Sequence, residues 1–536
     1  MISIRSKNLF ARHCCGALVS GMLVSFLGTL QAATINARSA SVTDITAAIN
    51  LAKDGDVVLV PAGTASWTSP LVVTKSITIQ GATTTDPSLY NFGSGMNTSA
   101  AYHDQTIILD DVPRTTATYG GALVKADLTP TKTFRLTGFT FRAGTVTDNG
   151  NNGAIRLNGT CPAIRIDHCH FSKLLQSNCI HSFGWLYGVI DHCVFDLTGN
   201  RFSILVWHDT WGGYTNGEGS WHDPSNWGSE KFMFIEDNIL NNTATVQTGG
   251  TIDAKQGGRC VIRHNKFNNV GVYTHGTEYN VETGVRAVEV YNNSINWTMG
   301  SINAQLRSGT ALVHDNNYFG VQPGGSMALA SFRQFYYFNT WGGANGKNPW
   351  DSNDSAGMYV SGKHTGANSS QKLVVANAGW TAGQWVGYQL INTSRGPDPG
   401  TNFNSFITSN TSDTITYELN NSFGPFMTFN TGEGFAIYKV LTSLDQPGRG
   451  QRNLIARDSQ GKPLSPAWPN QALDPVYSWN NKWNGQNMNV ASKYPTIREG
   501  RDYYNNTPKP GYIPYTYPHP LTGPAPPSNL SIVSVP

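Results

Sequence analysis

The chain has 536 residues, of which only 13% are charged and 56 are glycine. With few helix-favouring stretches, this composition indicates an all-β protein built from short strands and tight turns. The sequence contains 37 basic and 34 acidic residues, and three of the basic ones lie within the first twelve positions, so the charges of the remaining chain balance. A balanced chain has no global basic field, and nucleic acid is therefore excluded as the expected partner.

The N-terminal segment predicts secretion. Basic residues precede an apolar run at 15–30, and LQAA at 30–33 offers small residues for cleavage. We interpret residues 1–32 as a signal peptide, so the mature protein is expected in the periplasm or outside the cell. No later apolar run reaches the roughly 18 residues of a spanning helix. We expect a monomer without a membrane span.

One phrase recurs through the middle of the chain: an apolar alternation, a polar pair, one further residue and a large apolar residue. The copies are IRIDHCHF (164–171), VIDHCVF (189–195), FIEDNIL (234–240), VIRHNKF (261–267), EVYNNSI (289–295) and VHDNNYF (313–319). They recur every 24 to 28 residues, apart from one gap of nearly twice that length. This spacing is typical of a solenoid with one coil per repeat.

Each copy carries a characteristic residue two positions before its closing apolar side chain. These residues are Cys169, Cys193, Asn238, Asn265, Asn293 and Asn317. Amides stacked at the strand spacing of about 4.8 Å hydrogen-bond from coil to coil and satisfy buried turn backbone. The repeat therefore predicts a parallel β-helix with an inward asparagine ladder that begins with two cysteines.

After the leader, the chain keeps five cysteines: Cys161, Cys169, Cys179, Cys193 and Cys260. An odd number in an oxidising compartment leaves at least one free thiol. Cys169 and Cys193 occupy equivalent positions on adjacent coils. A disulfide between them and a pair of buried free thiols are both open at this point.

The flanking segments complete the predicted architecture. VTDITAAINLAK at 42–53 predicts an amphipathic helix, with Asp44 as capping residue, that covers the exposed first coil. We expect the β-helix at 33–340, followed by a linker at 341–364 and an inserted small β module at 365–440. A returning coil at 441–502 and a Pro-rich tail at 503–536 complete the chain. Because proline donates no backbone hydrogen bond, the tail is expected to lie extended on the surface and to add no strand.

The N-terminal pattern SVTDITAAINLAKDGDVVLVPAG, the later FRLTGFTFR and the ladder phrases resemble secreted right-handed parallel β-helix proteins of the pectate-lyase-like superfamily. The resemblance extends to about residue 340 and implies a right-handed helix with an N-terminal capping helix. It also implies a polysaccharide as substrate or ligand.

Strand alternation places polar side chains of the central coils on one outer surface. With Ile252 inward, Asp253 and Lys255 point outward on the same strand. By the same count, His275 lies outward on the next coil and Arg307 on the one after. Since adjacent coils are about 5 Å apart, Lys255, His275 and Arg307 are expected to line one groove that spans a few sugar units.

Aromatic residues cluster in the loop VWHDTWGGYTNGEGSWHDPSNW, which accounts for the long gap between repeats. Such a loop on a rigid scaffold suits stacking on sugar faces. Predicted substrate contacts are Trp207, His208, Trp211, Arg259 and Tyr273. The alternatives are that the tryptophans form the core of the loop and that Arg259 pairs with a carboxylate on a neighbouring coil.

The side chains of this groove suit β-elimination on a uronic-acid polysaccharide, which needs a cation at the carboxylate, a base and an acid. IDAKQGGRCVIRHNKFNNVGVYTHG (252–276) is similar to the lysine-to-arginine segment of the alginate lyase and chondroitinase B family. That similarity implies Lys255 as the base. The family's catalytic arginine precedes His-Gly, and Thr274 stands at its place here. His275 or Arg307 is expected to be the acid or the carboxylate clamp, and Arg286 is a further candidate for the acid.

Calcium is the candidate cofactor, with possible carboxylate ligands at Glu236, Asp253, Glu278 and Glu289, although their spacing is not diagnostic of a metal site. Two other functions stay open. A glycoside hydrolase would use paired carboxylates such as Asp253 and Glu278. A non-catalytic glycan-binding or surface protein would bind through the inserted module and the Trp-rich loop. In that case Lys255 and Arg307 are solvated charges and His275 shapes a turn.

Overall fold

The computed structural model describes a defined part of the chain: residues 32–114, 121–146, 153–175, 178–198, 202–209, 218–243, 250–276, 283–299, 304–330, 337–338, 342–343, 358–386, 388–395, 404–417, 427–438, 446–452, 459–460, 471–492, 497–523 and 532–533. Nearly all of the predicted signal peptide lies outside these ranges. Among the helices within them, none has the length and hydropathy that a bilayer span requires.

Three rows of strands follow one another along each coil, and we call them the first, second and third faces in chain order. The first face contains Leu71–Val73, Val124–Leu128, the beginnings of Ile155–Asp167 and Asn178–Asp191, Phe202–Trp207, Thr251–Lys255, Val272–Tyr273, Ala304–Leu306 and Ala328–Leu329. All of its pairings are parallel and join one coil to the next.

The second face contains Thr34–Asn36, Val57–Leu59, Thr78–Gln80, Thr133–Thr137, the ends of Ile155–Asp167 and Asn178–Asp191, Met233–Glu236, Arg259–Arg263, Ala287–Tyr291, Thr310–His314, Val476–Trp479 and Tyr503–Asn505. The third contains Gly63–Trp67, Thr106–Asp110, Thr140–Ala143, His170–Ser172, Val194–Leu197, Ile239–Asn242, Lys266–Asn268, Ser294–Trp297, Asn317–Gly320 and Lys482–Trp483, with Gln486–Asn487 folded back antiparallel on the last strand. Three stacked parallel faces confirm the predicted parallel β-helix.

Apolar side chains from all three faces fill the interior of the coils. On the third face, Phe141, Phe171 and Phe195 stack with ring centroids 5.5 and 4.5 Å apart. On the second face, Ile235 and Ile262 are fully buried at equivalent positions of adjacent coils. The core is therefore a set of identical or similar side chains repeated at the coil spacing, as the alternation in the sequence predicts.

The turn between the second and third faces has the same conformation in successive coils. Its first residue has a φ between 49° and 57°, and the set is His168, His192, Asp237, His264, Asn292, Asp315 and Asn480. Asn, Asp and His tolerate this left-handed region better than other side chains. The next residue points inward, where Asn238 Nδ2 donates to Asn265 Oδ1 and Asn265 Nδ2 donates to Asn293 Oδ1, both at 3.0 Å.

The last predicted member of the ladder is wrong by one residue. Asn293 Nδ2 donates to Asn316 Oδ1 at 2.9 Å, whereas Asn317 is exposed at the start of a third-face strand. Consequently Tyr318, which is 1% exposed, fills the core position predicted for Phe319, which is 39% exposed. Asn316 also donates to Asn481 Oδ1 at 2.8 Å, so the ladder continues across a long inserted segment.

The ladder begins with two thiols, as predicted. Cys169 and Cys193 are buried and free, and their Sγ atoms lie 3.3 Å from the carbonyl oxygens of Asp167 and Asp191. All five described cysteines are free, which settles the alternative left open above in favour of thiols.

A helix at Val42–Leu51 packs Ile45, Ala48 and Ile49 into the N-terminal end of the core. The predicted capping residue is wrong. Ser41 is the N-cap, and its side chain accepts the hydrogen bond of the Asp44 backbone N–H. Asp44 instead lies in the first helical turn, where the positive end of the helix dipole stabilises its carboxylate.

The inserted module is a separate antiparallel sheet. Its strands, in spatial order, are Met358–Lys363, Gly434–Tyr438, Gln389–Asn392, Asn404–Asn410, Thr414–Tyr417 and Lys372–Val374. Leu390, Ile407, Tyr417, Phe429 and Ile437 form its own buried cluster. Short elements elsewhere are the helix Glu218–His222, the 3₁₀ turns Pro87–Leu89, Phe92–Ser94, Ser99–Ala101 and Pro520–Thr522, and the two-strand pairs Thr84–Thr85 with Tyr102–His103, Tyr337–Phe338 with Gly342–Gly343, and Arg449–Gly450 with Ala472–Leu473.

The C-terminal tail differs from its prediction because it does add strands. Tyr503–Asn505 forms a second-face strand, and Ile532–Val533 pairs in parallel with Thr34–Asn36 of the first coil. Between them, the tail returns along the second face. Tyr515 packs against its apolar side chains, and the carbonyl of Leu521 accepts from Arg165 at 3.0 Å.

Candidate functional site

The outer surface of the first face brings together residues from several coils at one register. Phe183 pairs with Trp207, and Trp207 pairs with Lys255. On the next coil the His275 N–H donates to the Ala254 carbonyl at 3.1 Å, and the Thr274 N–H donates to Gln305 O on the coil after that. Lys255, His275 and Arg307 therefore lie on three successive coils. We call this surface the first-face groove.

Lys255 and Trp207 interact directly within this groove. The Lys255 Nζ lies 4.1 Å from the centroid of the Trp207 ring, and both side chains are half-buried. A cation over an aromatic face is attracted by the quadrupole of the ring. The contact holds the ammonium group of Lys255, the predicted base, on the outer surface of the sheet.

Asp253 and His275 form a second pair in the groove. Asp253 Oδ2 lies 2.6 Å from His275 Nδ1, and the carboxylate is fully buried while the imidazole is 15% exposed. The expectation that Asp253 faces solvent is thus wrong, because the side chain of the next coil covers it. The contact places a buried negative charge beside the imidazole at the surface of the groove.

Arg307 and Tyr273 complete the central part of the groove. Arg307 Nε donates to the Thr274 carbonyl at 2.6 Å, which fixes the guanidinium against the neighbouring coil. Tyr273 is half-buried, and burial raises its pKa to about 12. Its hydroxyl therefore stays protonated at neutral pH and serves as a hydrogen-bond donor.

The groove extends further towards the N-terminal coils than the sequence prediction placed it. The Arg156 guanidinium lies 4.9 Å from the centroid of the Phe183 ring, which is itself 5.6 Å from that of Trp207. Arg156 Nε also donates to Asn158 Oδ1 at 2.6 Å. Sequence reasoning missed these residues because it followed only the central coils, although the alternation IRLN at 155–158 carries the same outward pattern.

Three predicted residues are buried away from the groove surface. Arg259 is fully buried and donates to Ser220 Oγ at 2.8 Å and to loop carbonyls, so it holds the loop. Arg286 is fully buried with its Nη1 2.8 Å from Asp474 Oδ2. His208 is fully buried, and burial, with Arg259 nearby, lowers its pKa to about 3. None of them is placed to contact substrate.

The calcium assignment does not fit the described residues. Glu236 is fully buried against Arg263, with 2.6 Å between Oε2 and Nη2, and accepts the His519 N–H at 2.7 Å. Glu289 is fully buried and accepts from Gly228 N and the Tyr512 hydroxyl. Burial raises the pKa of both carboxyl groups. Their partners come from the C-terminal tail and a neighbouring loop, so these carboxylates hold protein segments in place.

The remaining predicted residues are divided between the loop core and undescribed segments. Trp221 is fully buried, and Trp227 stacks on Phe232 with ring centroids 6.2 Å apart, so both belong to the loop core. Trp211 and Glu278 lie outside the described residues. Within the described ranges, no group of three or more His, Cys, Asp or Glu side chains is arranged to hold a metal ion.

No family model matches the chain, and no curated protein matches it. Among solved structures, an alginate lyase from Paenibacillus sp. str. FPU-7 aligns over 55% of this chain and 98% of its own, with 13% identity and a TM-score of 0.30. The tailspike protein gp49 of Acinetobacter baumannii bacteriophage Fri1, a capsular polysaccharide depolymerase, aligns over 76% of this chain and 83% of its own, with 9% identity and a TM-score of 0.26. The assignment of a parallel β-helix to this chain rests on its own strand pairing.

Proposed function

We propose that the protein is a polysaccharide-active enzyme that cleaves a uronic-acid glycan by β-elimination in the first-face groove. The observation that carries the proposal is the placement of Lys255, His275 and Arg307 on three successive coils at one register. Adjacent coils are about 4.8 Å apart, so the two cations and the imidazole lie within a few coil spacings of one another. This span matches the extent of the reacting part of a sugar chain.

Each step of the elimination has a candidate side chain. A cation beside the substrate carboxylate makes the neighbouring C–H more acidic, and Lys255 and Arg307 flank His275 for this purpose. His275 is the preferred base because the buried Asp253 carboxylate lies 2.6 Å from its Nδ1 and stabilises the imidazolium that forms. Lys255, the base implied by the family resemblance, is assigned here to carboxylate neutralisation, because a lysine must lose its proton before it can act as a base.

The Tyr273 hydroxyl is the candidate donor to the leaving oxygen. Tyr273 lies on the same coil as His275 and pairs with Gln305 on the coil of Arg307. Burial raises its pKa, so the proton stays in place until the bond breaks. Phe183 and Trp207 supply aromatic surface for the neighbouring sugar units.

The test is a screen of purified protein against alginate, pectate, chondroitin and further uronic polysaccharides. Elimination creates an unsaturated sugar end with ultraviolet absorbance, whereas hydrolysis creates reducing ends without it. We expect ultraviolet absorbance to rise with at least one acidic glycan. Reducing ends without absorbance would overturn elimination in favour of hydrolysis.

Non-catalytic glycan binding is the second candidate, favoured by one specific observation. Phe183, Trp207 and Lys255 form a continuous aromatic and cationic row that binds a glycan even if no bond is broken. In this case the screen gives neither product, but an acidic glycan retards the protein in an affinity gel. The glycoside hydrolase alternative is less favoured, because Asp253 is fully buried against His275.

A further inference from the structure

A polar cleft lies along the turns between the second and third faces, on a different edge of the coil from the first-face groove. Its floor is formed by His192, Asp237 and His264, which occupy the left-handed turn position on three successive coils. One wall is the segment Asp86–Ser88 and the other is the tail at Tyr517–Pro518 and Thr522. The cleft encloses about 550 Å³.

Specific contacts hold both walls in position. Lys266 Nζ donates to the carbonyl oxygens of Pro87 at 2.8 Å and Tyr90 at 2.7 Å, and thereby fixes the first wall to the third face. On the opposite side, the Tyr517 hydroxyl donates to Asp237 Oδ1 at 2.8 Å. The Tyr517 ring also stacks on His264 with centroids 3.7 Å apart. The cleft is therefore a pre-formed site that needs no rearrangement to accept a ligand.

Hydrogen-bond acceptors dominate the lining. Asp86 keeps its carboxylate in the cleft while Oδ1 accepts from the Ser88 N–H at 3.0 Å. One carboxylate oxygen of Asp237 accepts the hydrogen bond of the Tyr517 hydroxyl. His192 Nδ1 lies 2.8 Å from Asp191 Oδ2, which leaves the other side of its ring for the cleft. Lys266, the basic side chain of the lining, is already engaged by the carbonyls of the wall.

We propose that this cleft is a second carbohydrate site, which binds one or two units of a neutral, hydroxyl-rich sugar. Its volume falls in the range of small-ligand pockets. Carboxylates such as Asp86 and Asp237 accept hydrogen bonds from sugar hydroxyls, and these charge-assisted bonds are among the stronger ones. The same carboxylates repel an acidic sugar, so this site has the opposite charge preference from the first-face groove.

The proposal is tested by ligand-detected NMR on the full-length protein, with cellobiose, maltose and lactose as neutral probes and glucuronic acid as the acidic one. We expect at least one neutral disaccharide to bind and glucuronic acid not to compete with it. Asp237→Asn is expected to weaken that binding by about tenfold, the equivalent of one charge-assisted hydrogen bond. Lys255→Ala, in the first-face groove, is expected to leave the affinity for the neutral disaccharide unchanged.

Asp86→Asn provides a second variant that keeps the proposal falsifiable if Asp237→Asn unfolds, because Asp86 is exposed directly before the short 3₁₀ turn Pro87–Leu89. The proposal is overturned if no neutral disaccharide binds. It is also overturned if binding persists unchanged in a folded Asp86→Asn or Asp237→Asn protein, or is lost only in Lys255→Ala. Loss of lyase activity has no bearing on this result, so the two proposals succeed or fail separately.

Discussion

At the scale of single residues, the pair of Asp253 and His275 is the basis for assigning the proposed proton transfer to His275. The carboxylate is fully buried beside Nδ1, whereas the imidazole reaches the surface of the groove. Such a carboxylate acts through the histidine and does not touch substrate, so Asp253 is a positioning residue. This separates its role from the glycan contacts that we propose for Lys255 and Arg307.

Asp253→Asn is expected to lower kcat/KM of the lyase reaction by at least about tenfold, because proton transfer by an oriented imidazole contributes a larger factor than that. The loss is expected in kcat with KM nearly unchanged, since the carboxylate does not touch substrate. The measurement is the initial ultraviolet rate against substrate concentration. A rise in KM with kcat unchanged would contradict a positioning role for Asp253.

A second residue-scale effect concerns His170, which is buried between Asp104 and Asp196 at 2.8 and 3.2 Å. Burial lowers the pKa of His170, but the two carboxylates outweigh it and raise the pKa above the usual 6.5. The charged histidine therefore stabilises the fold fully below about pH 6.5, and this contribution is lost as the pH rises through the raised value.

We expect the melting temperature of wild type to exceed that of His170→Gln most near pH 5 to 6 and by less as the pH approaches about 9. The measurement is thermal unfolding followed by circular dichroism. His103→Gln, which changes an exposed histidine directly before Asp104 in the chain, is the matched control. A difference that stays constant or grows with pH would show that His170 is neutral in the fold.

At the scale of elements, the asparagine ladder joins coils that are far apart in sequence. Asn316 donates to Val290 O and to Asn481 Oδ1, both at 2.8 Å, and its Oδ1 accepts from Asn293. Asn481 is separated from it by the inserted module. The ladder thus ties the coils on the two sides of the insertion together.

Asn316→Ala is expected to destabilise the protein by about 3 kcal/mol, because it leaves several buried polar groups without partners. Asn317→Ala, one residue away but exposed, is expected to change stability by less than about 0.5 kcal/mol. Thermal unfolding of the two variants makes the comparison. Equal effects would contradict the observed ladder register.

The tail is the second element whose contacts matter, since it covers the second face. Glu236→Ala removes the partner of the buried Arg263 and the acceptor of the His519 N–H. Breaking a buried ion pair in this way destabilises by about 3–5 kcal/mol. Asp127→Ala, which breaks the exposed pair with Lys125, is expected to change stability by less than about 1 kcal/mol.

Melting temperatures of the Glu236 and Asp127 variants, with limited proteolysis at the tail, provide the measurement. We expect earlier cleavage of the tail only in Glu236→Ala. Equal protection of the tail in both variants would show that the carboxylate of Glu236 does not hold it.

At the scale of the whole molecule, the sequence was most informative where the coil repeats. The recurring phrase predicts the faces, the ladder and the alignment of Lys255, His275 and Arg307, because all of these follow from local alternation. The prediction of the ladder residue is wrong in VHDNNYF (313–319), because either of two adjacent asparagines could occupy the inward position. Only the left-handed turn at Asp315 distinguishes them.

Features that depend on distant segments were not predictable in this way. The sequence offers Glu236 and Glu289 as possible metal ligands, but in the structure the C-terminal tail returns over both and donates hydrogen bonds to them. Asp253 points away from the core, as alternation requires, but the next coil buries it. In each case burial is set by a segment whose position no local pattern encodes.

The central claim is that the first-face groove performs the elimination, and the most direct measurement is ultraviolet product formation by a matched set of variants. We expect His275→Ala to lose at least about 100-fold in rate and Lys255→Ala and Arg307→Ala to lose activity as well. Exposed His103→Ala and Lys53→Ala are expected to keep wild-type rates. Full activity in His275→Ala together with Lys255→Ala would contradict the account and place the reaction elsewhere on the molecule.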